Sequence, residues 1–215
     1  PKGQIKGWIN MANKVNLREL ILNILLEIDK EGQYSHLVLR STLEKYQYLE
    51  KQERAFITRV CEGTLEYRIR LDYILDQFST VPAEKMKPVI RELLRSSVYQ
   101  LLYMDHVPDS AVCNEAVKLA RKRGFYNLTG FVNGVLRKIA REYGSIHFPG
   151  KDSPVEYLSV LYSMPVWLVE KFLKEYDFET TEKMLEAFLE EQPATIRIRE
   201  YQVEEEAVLE NLKEE

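Results

Sequence analysis

The sequence predicts an all-α protein, and three observations lead to this fold class. Apolar residues recur every three or four positions over most of the 215 residues, which is the spacing of one face of a helix. Helix-start and helix-stop residues stand at the ends of these segments. Glycine and proline are scarce, at nine and eight residues, and runs of β-branched residues are few.

The first helical segments have recognisable ends. Residues 1–13 carry no helical periodicity, and we interpret them as a tag or a disordered leader. Asn16 is a good N-cap with Glu19 three residues later, and Gly32 suits the end of that helix. Ser35 is the expected cap of a second, shorter helix.

The middle of the chain predicts a buried helix. Residues 50–78 have a helical pattern that should bend or split near Gly63 or Tyr67. Residues 88–104 are apolar almost all round, which places a helix at the centre of a bundle. This helix carries Arg91 and Arg95, and a buried arginine needs partners. We expect one of them to contact loop carbonyls or a carboxylate.

Two more helices are predicted before a boundary, and a different pattern follows it. Asp109 or Ser110 is the expected cap of a helix over residues 111–123, and another helix covers residues 127–142. After the boundary at residues 143–152, the helical pattern resumes over residues 153–192. Residues 193–199 alternate as in a strand, and residues 203–213 form an acidic amphipathic pattern. Residues 193–215 therefore predict the truncated start of an α+β subdomain.

Composition excludes several classes of protein. Hydrophobic residues make up 45% and charged residues 30% of the chain, as in soluble globular domains. No apolar run approaches the roughly 20 residues of a membrane span, and no signal peptide is visible, so we expect a cytoplasmic protein with no membrane partner. Cys61 and Cys113 lie in helical patterns without a Cys-x-x-Cys spacing, which argues against a zinc site or a disulfide framework.

The net charge of −4 hides an uneven distribution. Between residues 111 and 141, seven bases face a single acid, Glu115, whereas acids dominate from residue 142 onward. A local basic patch of this kind can attract phosphate even in an acidic protein. The seven bases are Lys118, Arg121, Lys122, Arg123, Arg137, Lys138 and Arg141.

One face of the helix over residues 127–142 has an unusual composition. At about 100° per residue, Gly130, Asn133, Gly134, Arg137 and Arg141 share the side opposite the apolar stripe. This helix is α7 in the numbering given with the fold below, and we call these five residues the α7 row. Each glycine costs a helix roughly 1 kcal/mol relative to alanine, so a plain solvated face should not keep two. The row is either a docking surface for RNA or another domain, or a site of tight packing against a neighbouring helix.

The run Arg121, Lys122 and Arg123 also has two interpretations. It can bind phosphate, or it can simply complement the dipole at the end of its helix before Gly124.

No catalytic motif accompanies these residues. The chain has no G-x-G-x-x-G, no P-loop and no G-x-S-x-G sequence. His36, His106 and His147 are scattered, and no nucleophile–base pair can be placed from spacing. We therefore predict a binding or docking module with no catalytic residue, no metal and no cofactor of its own.

Several motifs, in a specific order, resemble a known family. They are Asn16 to Leu20, Arg54 to Phe56, Gly63 to Leu65, Leu71 to Leu75, Leu94-Arg95, Tyr99 to Tyr103, Val107 to Val112, Asn114 to Val117 and Gly130 to Arg137. Together they are similar to the NusB-like N-terminal domain of the RsmB (Sun/Fmu) family of bacterial 16S rRNA cytosine-C5 methyltransferases. The segment Tyr162 to Val169 resembles the Tyr-Ser-x-Pro-x-Trp-Leu link to the rest of that enzyme, which free-standing NusB proteins lack.

The resemblance implies a fold and a division into domains. It implies two small helix bundles forming an RNA-binding domain at residues 14–145, a helical linker subdomain at 153–192, and the start of a further RNA-binding subdomain at 193–215. A catalytic domain would follow and carry S-adenosylmethionine and two catalytic cysteines. Neither Cys61 nor Cys113 stands in such a motif.

The resemblance also implies partners and contact residues. The expected partners are 16S rRNA and the catalytic domain of the same protein, with a ribosomal protein as a further candidate. In NusB-like proteins RNA contacts lie around the start of the first helix, where this chain offers only Lys14 and Arg18. We add the basic turn Arg121, Lys122 and Arg123, together with Asn133, Arg137 and Arg141 from the α7 row. The alternatives are a NusB-type antitermination or protein-partner adaptor, and a purely structural spacer.

Overall fold

A computed structural model describes residues 15–190 and 207–210 of the chain. Within them the regular structure is helical and no strand occurs, which confirms the all-α prediction. The predicted leader at residues 1–13 and the predicted strand at 193–199 lie outside the described residues. Of the predicted acidic helix only residues 207–210 are described, and these are helical.

Ten α-helices follow one another between residues 15 and 190. They are α1 (Leu17–Glu31), α2 (Ser35–Lys45), α3 (Lys51–Glu66), α4 (Arg68–Phe78), α5 (Pro88–Tyr103), α6 (Asp109–Lys122), α7 (Thr129–Glu142), α8 (Pro154–Leu161), α9 (Val166–Glu175) and α10 (Phe178–Leu189). Short 3-10 turns occupy Ala83–Lys85, Tyr126–Leu128 and Tyr143–Ser145.

Two predicted N-caps are wrong and one is confirmed. The side chain of Asn16 accepts a hydrogen bond from the Glu19 amide, and Gly32 ends α1 with a φ of 59°. Ser35 is instead the first residue of α2, because the extended Tyr34 before it holds the cap position. Similarly, Pro108 precedes α6 in an extended conformation, so Asp109 is already helical and caps nothing with its side chain.

The long helical region over residues 50–78 divides at Tyr67, which is shared between the end of α3 and the start of α4. Gly63 lies within α3 for a different reason. A Cβ atom at this position would overlap the ring of Tyr99 on α5. The Tyr99 ring in turn stacks on Tyr103 at 5.1 Å between centroids, and Tyr103 stacks on Tyr67 at 4.5 Å. Gly63 therefore allows α3 and α5 to approach closely.

Helix α5 is the centre of the first core, as its apolar pattern predicts. It packs against α1, α3, α4, α6 and α7. Its buried apolar residues Ile90, Leu94 and Val98 join one continuous core that extends through all seven helices.

Helix α5 also buries charge. The Nε and Nη2 atoms of Arg95 donate to the Asp72 carboxylate, at 2.7 and 2.5 Å. Its Nη1 atom donates to Glu92 at 2.5 Å. Arg91 contacts Asp29 of α1 at 2.7 Å. The predicted partners of the two arginines are thus carboxylates. Burial raises the pKa of Glu92, which is only 3% exposed.

Helices α1 to α7 surround one core, and we call them the first bundle. Helices α8 to α10 form a separate, smaller bundle around Leu158, Val169 and Leu185, which we call the second bundle. This bundle is attached to α4. The amide of Ile69 donates to Ser163 Oγ at 3.1 Å, and Ser163 holds a left-handed φ of 55°. Further along α4, the Gln77 side chain exchanges two hydrogen bonds with the backbone of His147, at 3.0 and 3.1 Å. The Ile69–Ser163 contact thus joins the second bundle to α4, and the Gln77–His147 pair holds the connecting segment against the same helix.

None of the helices described is long and apolar enough to cross a membrane.

Candidate nucleic-acid interface

The candidate interface is built on the helix pair α6 and α7. A connection of six residues joins them, and they pack along their length as an antiparallel pair. Their shared side is apolar, and Cys113, Ala116 and Leu119 on α6 belong to the same core as Val132 and Leu136 on α7. Both helices therefore turn their polar sides outward, next to each other.

The α7 row lies on that outward side and is open. A Cβ atom added to Gly130 or Gly134 would meet nothing within 4 Å. The row is therefore not packed against another helix of the described chain, and the tight-packing interpretation is wrong for these two positions. Two glycines that fill no internal gap leave the backbone of α7 accessible to an approaching molecule.

The side chains of the α7 row are partly organised by each other. Arg137 Nε donates to Asn133 Oδ1 at 2.9 Å, which orients both groups while leaving the Arg137 Nη atoms free to bind. Arg141 forms an exposed ion pair with the neighbouring Glu142 at 2.6 Å. Among the described residues, Arg137 has no acidic partner.

Arg137 also marks how the two helices align. Burial raises the pKa of the Cys113 thiol, and the nearby Arg137 charge opposes that effect. Arg137 therefore lies near Cys113, in the second turn of α6. In an antiparallel pair, the last turn of α6, which carries Arg121, lies at the same end as the start of α7.

The basic turn divides into one free residue and two engaged ones. Arg121 is exposed and has no ion-pair or hydrogen-bond partner in the described part of the chain. Lys122 Nζ lies 2.5 Å from Glu19 on α1, and Arg123 bonds Asn23 and approaches Glu19 at 3.6 Å. Lys122 and Arg123 thus tie the end of α6 to α1. Arg121 stays with the α7 row as a free cation.

The predicted contacts at the start of α1 do not join this surface. Arg18 donates from Nε to Gln100 at 2.9 Å and lies over the Phe56 ring at 5.4 Å. Burial lowers its pKa, with an opposing effect from Glu115. Its guanidinium is therefore used between α1, α3 and α5. Lys14 lies outside the described residues.

Sequence reasoning missed some of what shapes the site. The sequence shows Lys138 only as one of the basic residues. In the structure its ammonium lies 5.5 Å from the centre of the Phe78 ring, a cation–π contact between α7 and α4. Gln100 accepts a hydrogen bond from Arg18, and the sequence does not indicate this contact, because a single glutamine in an apolar helix does not reveal a distant partner.

In the part of the chain that the structure describes, no three metal-ligating side chains come together to hold a metal ion, and the two thiols are buried. Cys61 and Cys113 are buried, and burial raises the pKa of both thiols, which makes them poor nucleophiles. What this face can do is bind: it presents two free guanidinium groups, an oriented amide and an open helix backbone.

Comparison with known proteins decides the family. A family model described as "NusB family" matches residues 15–141, which is more than half of the chain. The chain belongs to the NusB family. A second model, the ferredoxin-like domain of RsmF/B-like methyltransferases, matches residues 164–215. The match of the first model ends within α7, one residue before its end.

The relatives of this NusB-family chain fall into two groups. It is 36% identical to a probable ribosomal RNA small subunit methyltransferase B of Bacillus subtilis, over 94% of this chain and 44% of that protein. It is 32% identical to a transcription antitermination protein NusB of Kineococcus radiotolerans, over 60% of this chain and 94% of that protein. These matches confirm the predicted resemblance. The chain spans less than half the length of its methyltransferase relative.

A solved structure agrees on the fold. The chain superposes on NusB in a crystal structure of the antitermination factors NusB and NusE in complex with double-stranded RNA, with a TM-score of 0.54 and 20% identity. The match covers 59% of this chain and 95% of the other. The first bundle therefore has the NusB fold.

Proposed function

We propose that this chain is the RNA-binding N-terminal module of an S-adenosylmethionine-dependent 16S rRNA cytosine-C5 methyltransferase. It positions rRNA for a catalytic domain that lies downstream in the whole protein and acts in the cytoplasm. The observation that carries this proposal is the extent of the match. Similarity to the methyltransferase relative runs through both bundles, whereas similarity to the NusB relative covers only 60% of the chain.

The α6/α7 surface supplies the contacts in this proposal. Arg121 and Arg137 bind phosphates, because neither cation is neutralised within the described chain. The amide of Asn133 and the open backbone at Gly130 and Gly134 allow a sugar–phosphate strand to approach closely. Phosphate contacts give affinity and orientation with little sequence preference, so the choice of the target base falls to the catalytic domain.

S-adenosylmethionine belongs to that downstream domain. The two thiols among the described residues are buried, so neither stands ready for the catalytic chemistry that accompanies this cofactor. The cofactor supplies the methyl group, and the part assigned to this chain is to hold the RNA.

The test is charge reversal in the longer enzyme. Arg137→Glu with Arg141→Glu should weaken binding to 16S rRNA at least tenfold and slow methylation at low rRNA concentration, with unchanged methylation at saturation. Lys183→Glu, on the exposed side of α10, is the matched control. Normal rRNA affinity in the double variant would show that the α7 row is not an RNA contact.

Salt dependence gives an independent measurement on the chain itself. If phosphates are the contact, the logarithm of RNA affinity falls linearly with the logarithm of salt concentration, and each lost phosphate contact lowers the slope by about 1. Fluorescence anisotropy with labelled rRNA fragments measures this slope. Binding that ignores salt would favour docking of a protein domain on the same face.

A NusB-type antitermination or protein-partner adaptor is the second candidate. The observation in its favour is the match to 94% of a NusB protein, together with a related NusB structure that holds NusE and double-stranded RNA. Stable co-purification with a ribosomal protein, and unchanged rRNA methylation when the parent gene is deleted, would support this candidate over the methyltransferase.

A further inference from the structure

The second bundle carries a tryptophan that its core does not use. Trp167 lies in the first turn of α9 and is 65% exposed, beside Val166, which is 51% exposed. Val169, Phe172 and Leu173 supply the packing of α9 instead. An exposed indole forgoes most of the free energy that burial would provide. Its position is therefore better explained by a partner than by folding.

Two lysines share the face of α9 that Trp167 occupies. Lys171 and Lys174 follow Trp167 at i+4 and i+7, so the three side chains lie within about 60° of one another around the helix. We call them the α9 row. Both lysines are exposed, and neither has an ion-pair or hydrogen-bond partner among the residues described. Glu170 and Glu175 flank the row on its two sides, and neither bonds Lys171 or Lys174 within the described chain.

We propose that the α9 row is a second RNA contact, at which a base of single-stranded RNA stacks on Trp167 while Lys171 and Lys174 hold the adjoining phosphates. This inference rests on the proposed function and extends it from the first bundle to the second. An aromatic platform beside free cations is the usual arrangement for binding single strands, because every base has a face that can stack.

Charge favours RNA over a protein surface as the occupant. An apolar protein patch that covered Trp167 would also cover the two ammonium groups, and burying them without carboxylates is costly. A phosphate backbone neutralises the same groups and releases counterions. The two carboxylates on this face, Glu170 and Glu175, stand at its two edges, and the centre of the row holds only Trp167 and the two lysines.

The attachment of the bundles makes the α9 row useful to the whole module. Ser163, three residues before α9 begins, binds the amide of Ile69 on α4, and α8 packs along α4. The α9 row and the α7 row therefore belong to structures joined through the same helix. An RNA held at one row meets the other at a raised effective concentration.

Tryptophan fluorescence tests the stacking directly. The chain contains two tryptophans, so Trp8→Phe leaves Trp167 as the only emitter. Titration with a single-stranded oligouridine of about 12 nucleotides should quench its emission strongly, because the stacked base contacts the indole. Double-stranded RNA of the same length should quench it much less, since its bases are already paired and stacked.

Affinity separates stacking from general attraction. Trp167→Ala should weaken oligouridine binding about tenfold, and Trp167→Phe should retain most of the affinity because it keeps a stacking ring. Tyr34→Ala, which removes an exposed ring before α2 and far from α9 in the chain, is the control and should leave oligouridine affinity unchanged. Lys171→Gln with Lys174→Gln should lower the salt slope by about 2, whereas Lys183→Gln should leave it unchanged.

Two results would overturn the inference. One is unquenched Trp167 emission with equal oligouridine affinity for Trp167→Ala and the parent chain. The other is a Trp167 emission that is blue-shifted and insensitive to RNA in the longer protein, with weakened interdomain association in Trp167→Ala, which would assign the face to the downstream domain.

Failure here is distinguishable from failure of the proposed function. Trp167→Ala could leave RNA affinity unchanged while Arg121→Glu with Arg137→Glu abolishes salt-dependent binding. That result would refute the α9 contact and leave the proposed function standing. If the parent chain binds no RNA at any salt concentration, both proposals fall together.

Discussion

Around Tyr99, glycine and arginine serve the interior of the protein, whereas along α7 the same two residue types face outward. Gly63 allows α3 to reach the Tyr99 ring, and Arg95 on the same helix as Tyr99 is saturated by Asp72 and Glu92. Gly134 borders open space, and Arg137 bonds only an amide within the described chain. The difference teaches that residue type alone does not locate a binding surface: what matters is whether the fold already uses the residue.

The largest effect should come from removing the buried guanidinium. Arg95→Ala leaves two carboxylates, Asp72 and Glu92, close together with no compensating charge, and should lower the free energy of unfolding by about 3–5 kcal/mol. Arg137→Ala is the matched change at the exposed row and should stay within about 0.5 kcal/mol of the parent. Urea denaturation measures both. Similar losses for the two variants would remove the distinction between the regions.

Gly63→Ala should be the next most damaging change. The added methyl group overlaps the ring of Tyr99, which is fully buried and stacked on Tyr103, so neither partner can move freely. Overpacking of this kind costs about 1–3 kcal/mol. Thermal or urea unfolding measures the loss. A variant as stable as the parent would mean that α3 and α5 can separate at no cost.

Gly134→Ala should act in the opposite direction on stability. The new methyl group meets no neighbour, and alanine is the better helix former, so the free energy of unfolding should rise by about 0.5–1 kcal/mol. RNA affinity, measured by anisotropy on the same sample, should fall severalfold because the methyl group keeps the strand off the backbone. A gain in stability with unchanged affinity would mean that the row is exposed but does not bind through this glycine.

The smallest effect is a pH dependence of the buried network. Burial raises the pKa of Glu92, while the neighbouring Arg95 partly opposes this. A raised pKa in the folded state stabilises the protein below the ordinary glutamate value, and that contribution is lost as the pH rises through the folded pKa. The difference in unfolding free energy between the parent and Glu92→Gln should therefore move in favour of Glu92→Gln from about pH 4 to about pH 7.

A difference that shrinks or stays constant over this range would show that Arg95 keeps Glu92 ionised throughout. The carboxylate would then be held by its ion pair rather than penalised by its burial.

Local patterns predicted the helices well, and contacts between distant residues explain what they could not predict. Asn16 and Gly32 mark the ends of α1 because capping depends on neighbours in the chain. The apolar surface of α5 likewise announced a central helix. The partners of Arg18 and Lys122 could not be predicted, since Gln100 and Glu19 are 82 and 103 residues away in sequence.

The candidate site shows the same limit. Its two glycines and its arginine spacing were visible in the sequence because they follow helical periodicity. Whether the row was open or covered depended on which helices pack beside α7, and that is set by the whole core. The sequence shows Trp167 as part of an amphipathic pattern. It does not predict the exposure of the indole, because a tryptophan at one end of a short helix can be buried or exposed.

Helix α4 connects α7 to the second bundle. Phe78 at its end receives Lys138 from α7, and Ile69 at its start holds the second bundle through Ser163. These two contacts are nine residues apart, about 14 Å along the helix. Because α8 also packs along α4, the position of the second bundle relative to the α7 row depends on α4 keeping its helical geometry.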